Sequence, residues 1–166
     1  MMDRRSMIAS GALAAGALLA SNAAGATVLP RAARRPFRRK LGKVQLLQVG
    51  VGGSIAPADR NELKRHPDVA FTGLCDVDAD ALAAASKDHP EAFPCRDFRE
   101  AFDRHAGKFD GVVVCTPDHN HALIMMTALK AGKHVYGQKP LVQQLSEVRA
   151  ILGAVNARPS LVTQVG

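Results

Sequence analysis

From residue 44 onward, short apolar runs alternate with longer segments in which apolar residues recur every three or four positions. Short runs bounded by turn residues are typical of buried strands, whereas the longer periodic segments predict amphipathic helices. The pattern predicts strands at 44–49, 69–75, 91–95, 111–115, 134–136 and 161–165. It predicts helices at 57–66, 78–87, 97–105, 118–130 and 145–157.

The regular alternation of strands and helices indicates the fold class. A helix between consecutive strands makes a right-handed crossover possible, so we expect the strands to run parallel. Six strands in two halves predict an α/β fold built on a doubly wound parallel sheet, the arrangement that binds dinucleotides. Ligands of such a sheet bind beyond the carboxyl ends of the strands.

A glycine-rich turn follows the first predicted strand. Gly50 would allow a tight turn, and Gly52 would let the main chain approach a pyrophosphate because it has no Cβ atom. Unpaired amides in the first turn of the next helix would point at the anion. Ile55 replaces the third glycine of the G-x-G-x-x-G pattern, so the helix should lie farther out or begin later, and Pro57 favours a later start. Taken alone, the turn could equally be a plain strand–helix connection.

Asp76 follows directly after the second predicted strand. A carboxylate there can accept both hydroxyl groups of an adenosine ribose and would repel a 2′-phosphate, which favours NAD over NADP. The alternative is that Asp76 only caps a turn. Asp76, Asp78 and Asp80 do not make a calcium loop, because Ala81 and Lys87 stand where that loop needs Gly and Glu.

Two later strand ends also carry candidate chemistry. Cys115, His119 and His121 could be metal ligands, but the two histidines lie two positions apart on a predicted helix and point in different directions. We therefore predict no metal site. Lys139 falls just past the fifth predicted strand, where a lysine can polarise a reacting oxygen or donate a proton to it. The alternative is a surface lysine before a turn proline.

Three segments together resemble the Gfo/Idh/MocA family of oxidoreductases: 115–121 (CTPDHNH), 128–135 (ALKAGKHV) and 138–141 (QKPL). The resemblance is to that family's amino-terminal NAD(P)-binding Rossmann domain and covers about residues 43–166. It implies hydride transfer between the nicotinamide of NAD and a hydroxyl group of a sugar or cyclitol, with Lys139 as the catalytic lysine. The cofactor contacts that we expect are at Gly50, Gly52, Gly53, Ser54, Asp76, Thr116, Pro117, His121, Gln138 and Lys139.

The chain departs from this family in three ways. Gln138 stands where the family more often has Glu, and Asp118 where it usually has Asn, so the proton relay around Lys139 stays open. Family members continue into a carboxy-terminal α/β domain that builds the substrate pocket, so we expect this chain to be the front part of a longer protein and a homo-oligomer when complete. An NAD-dependent glycosidase that transiently oxidises its sugar, and a non-catalytic NAD-binding or assembly module, are the alternatives.

The amino terminus predicts export. Arg4 and Arg5 precede a short apolar run, and 24–26 offers a small-x-small cleavage site, so residues 1–26 resemble a twin-arginine signal peptide. We therefore expect a periplasmic or otherwise exported protein. The run is too short and too rich in Ala and Gly for a stable membrane span after cleavage. A cytosolic protein with a disordered start and an uncleaved membrane anchor are the alternatives.

The net charge of +7 belongs mainly to a linker. Residues 27–43 carry seven Lys and Arg, whereas residues 44–166 carry 13 Lys and Arg against 14 Asp and Glu. One Tyr, six Phe and no Trp are too few for a base-stacking surface, so no nucleic-acid partner is predicted. The linker is interpreted as a solvated spacer, with contact to anionic lipid or nucleic acid as the alternative.

The chain has three cysteines. Cys75 and Cys115 fall at the ends of buried predicted strands and are expected to be core thiols, whereas Cys95 is expected to be exposed. The sequence alone establishes no pairing among them.

Overall fold

The computed structural model describes residues 42–166, so the predicted signal peptide and nearly all of the basic linker lie outside the described residues. Six parallel strands form one sheet in the order β3-β2-β1-β4-β5-β6. This order, with helices as crossovers, is that of the doubly wound dinucleotide-binding fold. The predicted fold class is therefore confirmed.

The elements lie close to where the apolar pattern predicts them. The strands are β1 (Val44–Val49), β2 (Val69–Cys75), β3 (Phe93–Cys95), β4 (Gly111–Val114), β5 (His134–Gly137) and β6 (Thr163–Val165). The helices are α1 (Ile55–Lys64), α2 (Ala79–Asp88), α3 (Phe98–His105), α4 (His121–Lys130) and α5 (Leu145–Asn156), with 3-10 turns at Ala106–Lys108 and Asp118–Asn120.

Two clusters of buried side chains hold the helices on the sheet. The larger joins α3, α4 and α5 to the sheet and includes Phe109, Val112 and Leu129, each at most 1% exposed. The smaller joins α2 to β2 through Leu74 and Leu82. Because both faces of the central strands are covered, β4 is buried throughout its length, which explains its uninterrupted apolar run.

Helix α1 begins at Ile55, so the predicted later start at Pro57 is wrong. Pro57 is the third residue of the helix, where a main-chain N–H has no partner within the helix and a proline is tolerated. Ile55 is 45% exposed, so its side chain points away from β1 and does not hold the helix off the strand. The buried residues of α1 are Ala56 and Arg60, whereas Leu63 is half-buried.

The segment predicted as one helix over 118–130 is a 3-10 turn followed by α4 from His121. Asp78 caps α2, because its side chain accepts hydrogen bonds from the main chain of Asp80 and Ala81. Between residues 42 and 166, none of the helices is both long enough and apolar enough to cross a membrane.

The expectation that Cys95 is exposed is wrong, since it is 7% exposed. Cys95 pairs in register with Cys75 on the neighbouring parallel strand, so both side chains lie on the same face of the sheet and Cys95 shares the burial of Cys75. The expectation of a buried thiol at Cys75 is confirmed, whereas Cys115 is half-buried.

Candidate functional site

The strand order reverses between β1 and β4, and the turns that follow these two strands touch. A Cβ atom on Gly50 would lie 2.6 Å from the carbonyl carbon and oxygen of Cys115 and 2.7 Å from the nitrogen of Thr116. Gly50 also has a φ of +83° and Gly53 one of +67°, a region that residues with a side chain rarely adopt. Glycine at position 50 thus permits both the turn and the contact between the two strand ends.

The carboxylate of Asp76 braces this turn. Its Oδ2 accepts hydrogen bonds from the main-chain nitrogens of Val51 at 2.8 Å and Gly52 at 3.1 Å. Its Oδ1 accepts from the nitrogen of Asp78 at 3.0 Å. The turn-capping interpretation of Asp76 therefore holds in the structure. A carboxylate has about four acceptor positions, so a hydroxyl group can still be accommodated.

A cleft of about 740 Å³ opens beyond the ends of β1, β2, β3 and β4. Its volume lies within the range of small-molecule sites, roughly 300–1,000 Å³. Six of the predicted cofactor contacts line it: Gly50, Gly52, Gly53, Asp76, Thr116 and Pro117.

The cleft passes two tests of fit for a dinucleotide. A Cβ atom on Gly52 would lie 3.1 Å from the Cβ of Ala81, a tight contact, so glycine fits this position and leaves the main chain of the turn open for close approach. The hydroxyl group of Thr116 is buried and has no hydrogen-bond partner within the described chain, which leaves it for a ligand. The residues that line the cleft therefore fit NAD.

The segment after β3 also lines the cleft and was missed from the sequence. Arg96 donates to the carbonyl oxygen of Val77 at 2.7 Å, which ties this segment to the end of β2. Asp97 caps α3, and the hydrogen bond from the main chain of Arg99 lowers the pKa of its carboxyl group. The sequence feature that could have identified Arg96 and Asp97 is their position directly after a predicted strand of the parallel sheet.

A second cleft, of about 240 Å³, joins the glycine turn to the end of β5. Ser54 lies on one side of it, and Gln138 and Lys139 lie on the other. Lys139 is exposed, and its peptide bond to Pro140 is cis. The structure thus brings the predicted site residues of the glycine turn and those after β5 to one edge of the sheet, although they are far apart in the sequence.

His121 is 1% exposed and lies between two loops of this edge. Its Nδ1 is 2.8 Å from the carbonyl oxygen of Pro140, and its Nε2 is 2.8 Å from the carbonyl oxygen of Thr116. Both ring nitrogens are therefore engaged with main chain. His121 also lines the second cleft, so it holds the loops that carry Thr116 and Lys139, and its contact with the cofactor stays a prediction.

Behind the second cleft lies a polar network that the sequence analysis missed. Gln48 is 0% exposed; its Nε2 donates to the carbonyl oxygen of Ala56 at 2.9 Å, and its Oε1 accepts from Arg60 at 2.9 Å. Arg60 is 5% exposed, and burial lowers the pKa of its guanidinium. Burial also raises the pKa of the Cys115 thiol to about 12. The sequence feature that could have indicated this network is Gln48, a polar residue inside an apolar strand.

Residues 42–166 contain no cluster of three or more His, Cys, Asp or Glu side chains that could hold a metal ion. His119 is exposed and His121 is buried, so the two histidines considered from the sequence are not brought together.

Comparison with known proteins agrees with this geometry. A family model described as an oxidoreductase family with an NAD-binding Rossmann fold matches residues 44–165. The uncharacterised oxidoreductase YrbE of Bacillus subtilis is 25% identical over 114 residues, which are 69% of this chain and 33% of that protein. Inositol 2-dehydrogenase of Rhizobium meliloti is 33% identical over 78 residues, 47% of this chain and 24% of that enzyme.

Among solved structures, the fold is similar to scyllo-inositol dehydrogenase from Lactobacillus casei with bound NAD(H) and scyllo-inositol. The TM-score is 0.69 at 20% identity, over 75% of this chain and 36% of that one. The chain thus spans about a third or less of the curated relatives that it matches.

Proposed function

The chain belongs to the Gfo/Idh/MocA family of oxidoreductases, whose model covers residues 44–165 as an NAD-binding Rossmann fold, and from this membership we propose the activity of the complete protein. The complete protein is an exported NAD-dependent oxidoreductase that acts on a hydroxyl group of a sugar or cyclitol. Inositol 2-dehydrogenase is a relative at 33% identity, which supports a polyhydroxylated ring as substrate. The complete protein would work as a homo-oligomer.

One observation carries this proposal. Lys139, at the end of β5, lines the same cleft as Gly52 and Gly53 of the turn after β1. A dinucleotide held by that turn would lie at the crevice between β1 and β4, next to the strand from which Lys139 follows. A lysine in that place can reach a hydroxyl group presented to the cofactor.

Residues at different strand ends would bind different parts of NAD. The main-chain amides of Gly53 and Ser54 would hold the pyrophosphate, because amides that open a helix bind anions, whereas those of Val51 and Gly52 already donate to Asp76. Asp76 would accept a ribose hydroxyl while it braces the turn. Thr116 and Pro117 would line the path towards the end of β5. NAD supplies a two-electron acceptor when it is bound.

Lys139 would then manage the proton of the substrate hydroxyl group. In oxidation of the hydroxyl group, the neutral amine form of Nζ would accept its proton, and in reduction the ammonium form would donate a proton to the reacting oxygen. Gln138 cannot take a proton in this way, because its side chain is an amide that is hydrogen-bonded to Asp59 and to the main chain of Lys139. Two residues that follow β5 line the second cleft, Gln138 and Lys139, and of these two we assign the reacting proton to Lys139.

The proposed export is supported by the sequence of residues 1–26. A twin-arginine route carries folded proteins, which is compatible with a domain that takes up its cofactor before export. The intact mass of the protein from its native host tests this directly, because removal of residues 1–26 would lower it by that segment. Retention of residues 1–26 in the mature protein would contradict cleavage at this site.

Lys139→Met in the complete protein tests the proposed chemistry. We expect turnover of sugars and cyclitols to fall by at least about a hundredfold, because proton transfer contributes about 10²–10⁴ to rates. NAD affinity should stay within about twofold, since the glycine turn and Asp76 are unchanged. The measurements are steady-state NADH formation and NAD binding by calorimetry. Lys130→Met is the matched control, because Lys130 is an exposed lysine at the last residue of α4.

Full activity of the Lys139→Met protein would contradict the proposal. Cleavage of glycosides without net formation of NADH would instead support a glycosidase that oxidises its sugar transiently. Tight NAD binding without turnover of any sugar or cyclitol by the unaltered protein would support a non-catalytic module.

A further inference from the structure

The main chain at Lys139 is held by the side chain of the residue before it. Gln138 Oε1 accepts a hydrogen bond from the nitrogen of Lys139 at 3.0 Å. The main-chain nitrogen of Gln138 donates to the carbonyl oxygen of Val114 at 2.9 Å, which anchors Gln138 to the end of β4. The orientation of the Gln138 amide therefore affects how the chain leaves the sheet at Lys139.

The other end of this amide meets a carboxylate on α1. Gln138 Nε2 donates to Asp59 Oδ2 at 2.7 Å, across 79 positions of sequence. A carboxylate only accepts hydrogen bonds, so the NH₂ group must face Asp59. The side-chain oxygen of Gln138, Oε1, must then face the main-chain nitrogen of Lys139. Asp59 thus selects one of the two orientations that the amide could adopt.

Asp59 is itself held in place by the sheet beneath α1. The thiol of Cys115 donates to the same Oδ2 at 3.5 Å. The next residue of the helix, Arg60, donates to Gln48 Oε1 at 2.9 Å and to the carbonyl oxygen of Val51 at 3.3 Å. These contacts tie α1 to β1 and to the glycine turn. The carboxylate is therefore fixed relative to the ends of β1 and β4.

We infer that Asp59 is a positioning residue for Lys139, which it acts on through the side-chain amide of Gln138. It would fix the direction in which the main chain leaves β5, and with it the origin of the lysine side chain beside the glycine turn. The expected effect on turnover rests on the proposed function of Lys139, whereas the expected effect on the main chain does not.

Hydrogen exchange of the Lys139 amide in the complete, ¹⁵N-labelled chain tests this inference without cofactor or substrate. In Asp59→Leu the carboxylate is absent and the amide of Gln138 can turn over, so we expect the Lys139 amide to exchange at least about tenfold faster. Glu62→Leu is the matched control, because Glu62 is an exposed carboxylate on α1 that pairs with exposed Arg65. This control should leave the exchange of Lys139 unchanged.

A double variant separates a relay from a general loosening of α1. If Asp59 acts through Gln138, adding Asp59→Leu to Gln138→Leu should not speed Lys139 exchange further, since the connecting amide is already gone. Further acceleration in the double variant would overturn the relay. Unchanged Lys139 exchange in Asp59→Leu, with β4 and β5 amides still protected, would also overturn it.

Asp59→Asn provides a second route if the leucine variant does not fold. Asparagine keeps one acceptor oxygen but loses the charge, so the side-chain NH₂ signals of Gln138 should shift while the Lys139 amide keeps much of its protection. Gln138 signals that do not move would contradict the contact with Asp59.

In the complete enzyme, Asp59→Leu should lower kcat about tenfold and leave NAD affinity within about twofold, with Asp59→Asn restoring part of the rate. The two proposals can fail separately. Full activity of Lys139→Met would remove the proposed chemistry but would not affect the exchange result. Unchanged exchange in Asp59→Leu would remove the positioning role and leave the chemistry of Lys139 intact.

Discussion

The two sides of the sheet's carboxyl edge are built differently. On the side of β1 and β2, main-chain amides form the surface, and a single carboxylate, Asp76, accepts from three of them. On the side of β4 and β5, the exposed Lys139 depends on side chains that come from distant parts of the chain. The His121 side chain joins the main chain of Pro140 to that of Thr116 after β4, and the Asp59 side chain of α1 accepts from the amide of Gln138.

This difference suggests that the two sides have different roles. A surface of main-chain amides around glycines tolerates few replacements, because any Cβ atom or altered φ disturbs it. A lysine held through side-chain amides can be repositioned by single substitutions far away in sequence. We therefore expect changes on the β1 side to affect folding and cofactor affinity, and changes on the β5 side to affect turnover.

The largest effect is expected at Gly50. Gly50→Val would place a branched side chain at a φ of +83° with its Cβ 2.6 Å from the main chain of Cys115. Strain and overlap with main-chain atoms should lower the free energy of unfolding by at least about 3 kcal/mol. Urea denaturation measures this change.

Gly153 offers the control for Gly50, because it lies within α5 and a Cβ atom added there would meet nothing within 4 Å. Gly153→Ala should stabilise the protein by about 1 kcal/mol, since alanine favours a helix. Equal effects at Gly50 and Gly153 would show that the contact between the two strand ends carries no special constraint.

An intermediate effect is expected at Asp76. Asp76→Ala removes the acceptor for Val51, Gly52 and Asp78, and because the site is partly exposed we expect a loss of about 2 kcal/mol in the free energy of unfolding. NAD affinity should fall at least about tenfold, because the turn loses the carboxylate that braces it and the ribose loses its proposed acceptor. Calorimetric titration and urea denaturation measure the two effects. Asp103→Ala, at an exposed position of α3, should change neither.

The smallest effect concerns acid pH. Burial lowers the pKa values of His134 and His89 in the folded protein. As the pH falls through about 6.5, the unfolded chain therefore takes up protons first, so stability that is present at neutral pH decreases. Protonation of His134 also opposes its bond with Val162, whose nitrogen donates to His134 Nδ1 at 2.9 Å.

Urea denaturation at about pH 7.5 and about pH 5.5 measures this loss. His134→Asn keeps an acceptor but cannot titrate, so it should reduce the dependence on pH. His66→Asn is the control, because His66 is exposed. A pH dependence that is the same in all three proteins would exclude His134 as a source.

Much of the candidate site could be predicted from local sequence. Gly50 and Asp76 follow a strand directly and Thr116 is the second residue after one, and parallel strands bring all their carboxyl ends to one edge. Lys139 was found for the same reason. The start of α1 was missed, because the replacement of one glycine by Ile55 matters only if the side chain points at the strand, and it points outward.

The sequence by itself determined the alternation of strands and helices, the glycine turn and the position of Lys139, because periods of two and 3.6 residues and turn residues are local properties. Only the tertiary structure decided that Asp59 meets Gln138, that Arg60 is buried against Gln48 and that Cys95 is buried beside Cys75. Each of these contacts joins residues of two different segments that only the folded chain brings together, so the sequence around one partner does not predict the other.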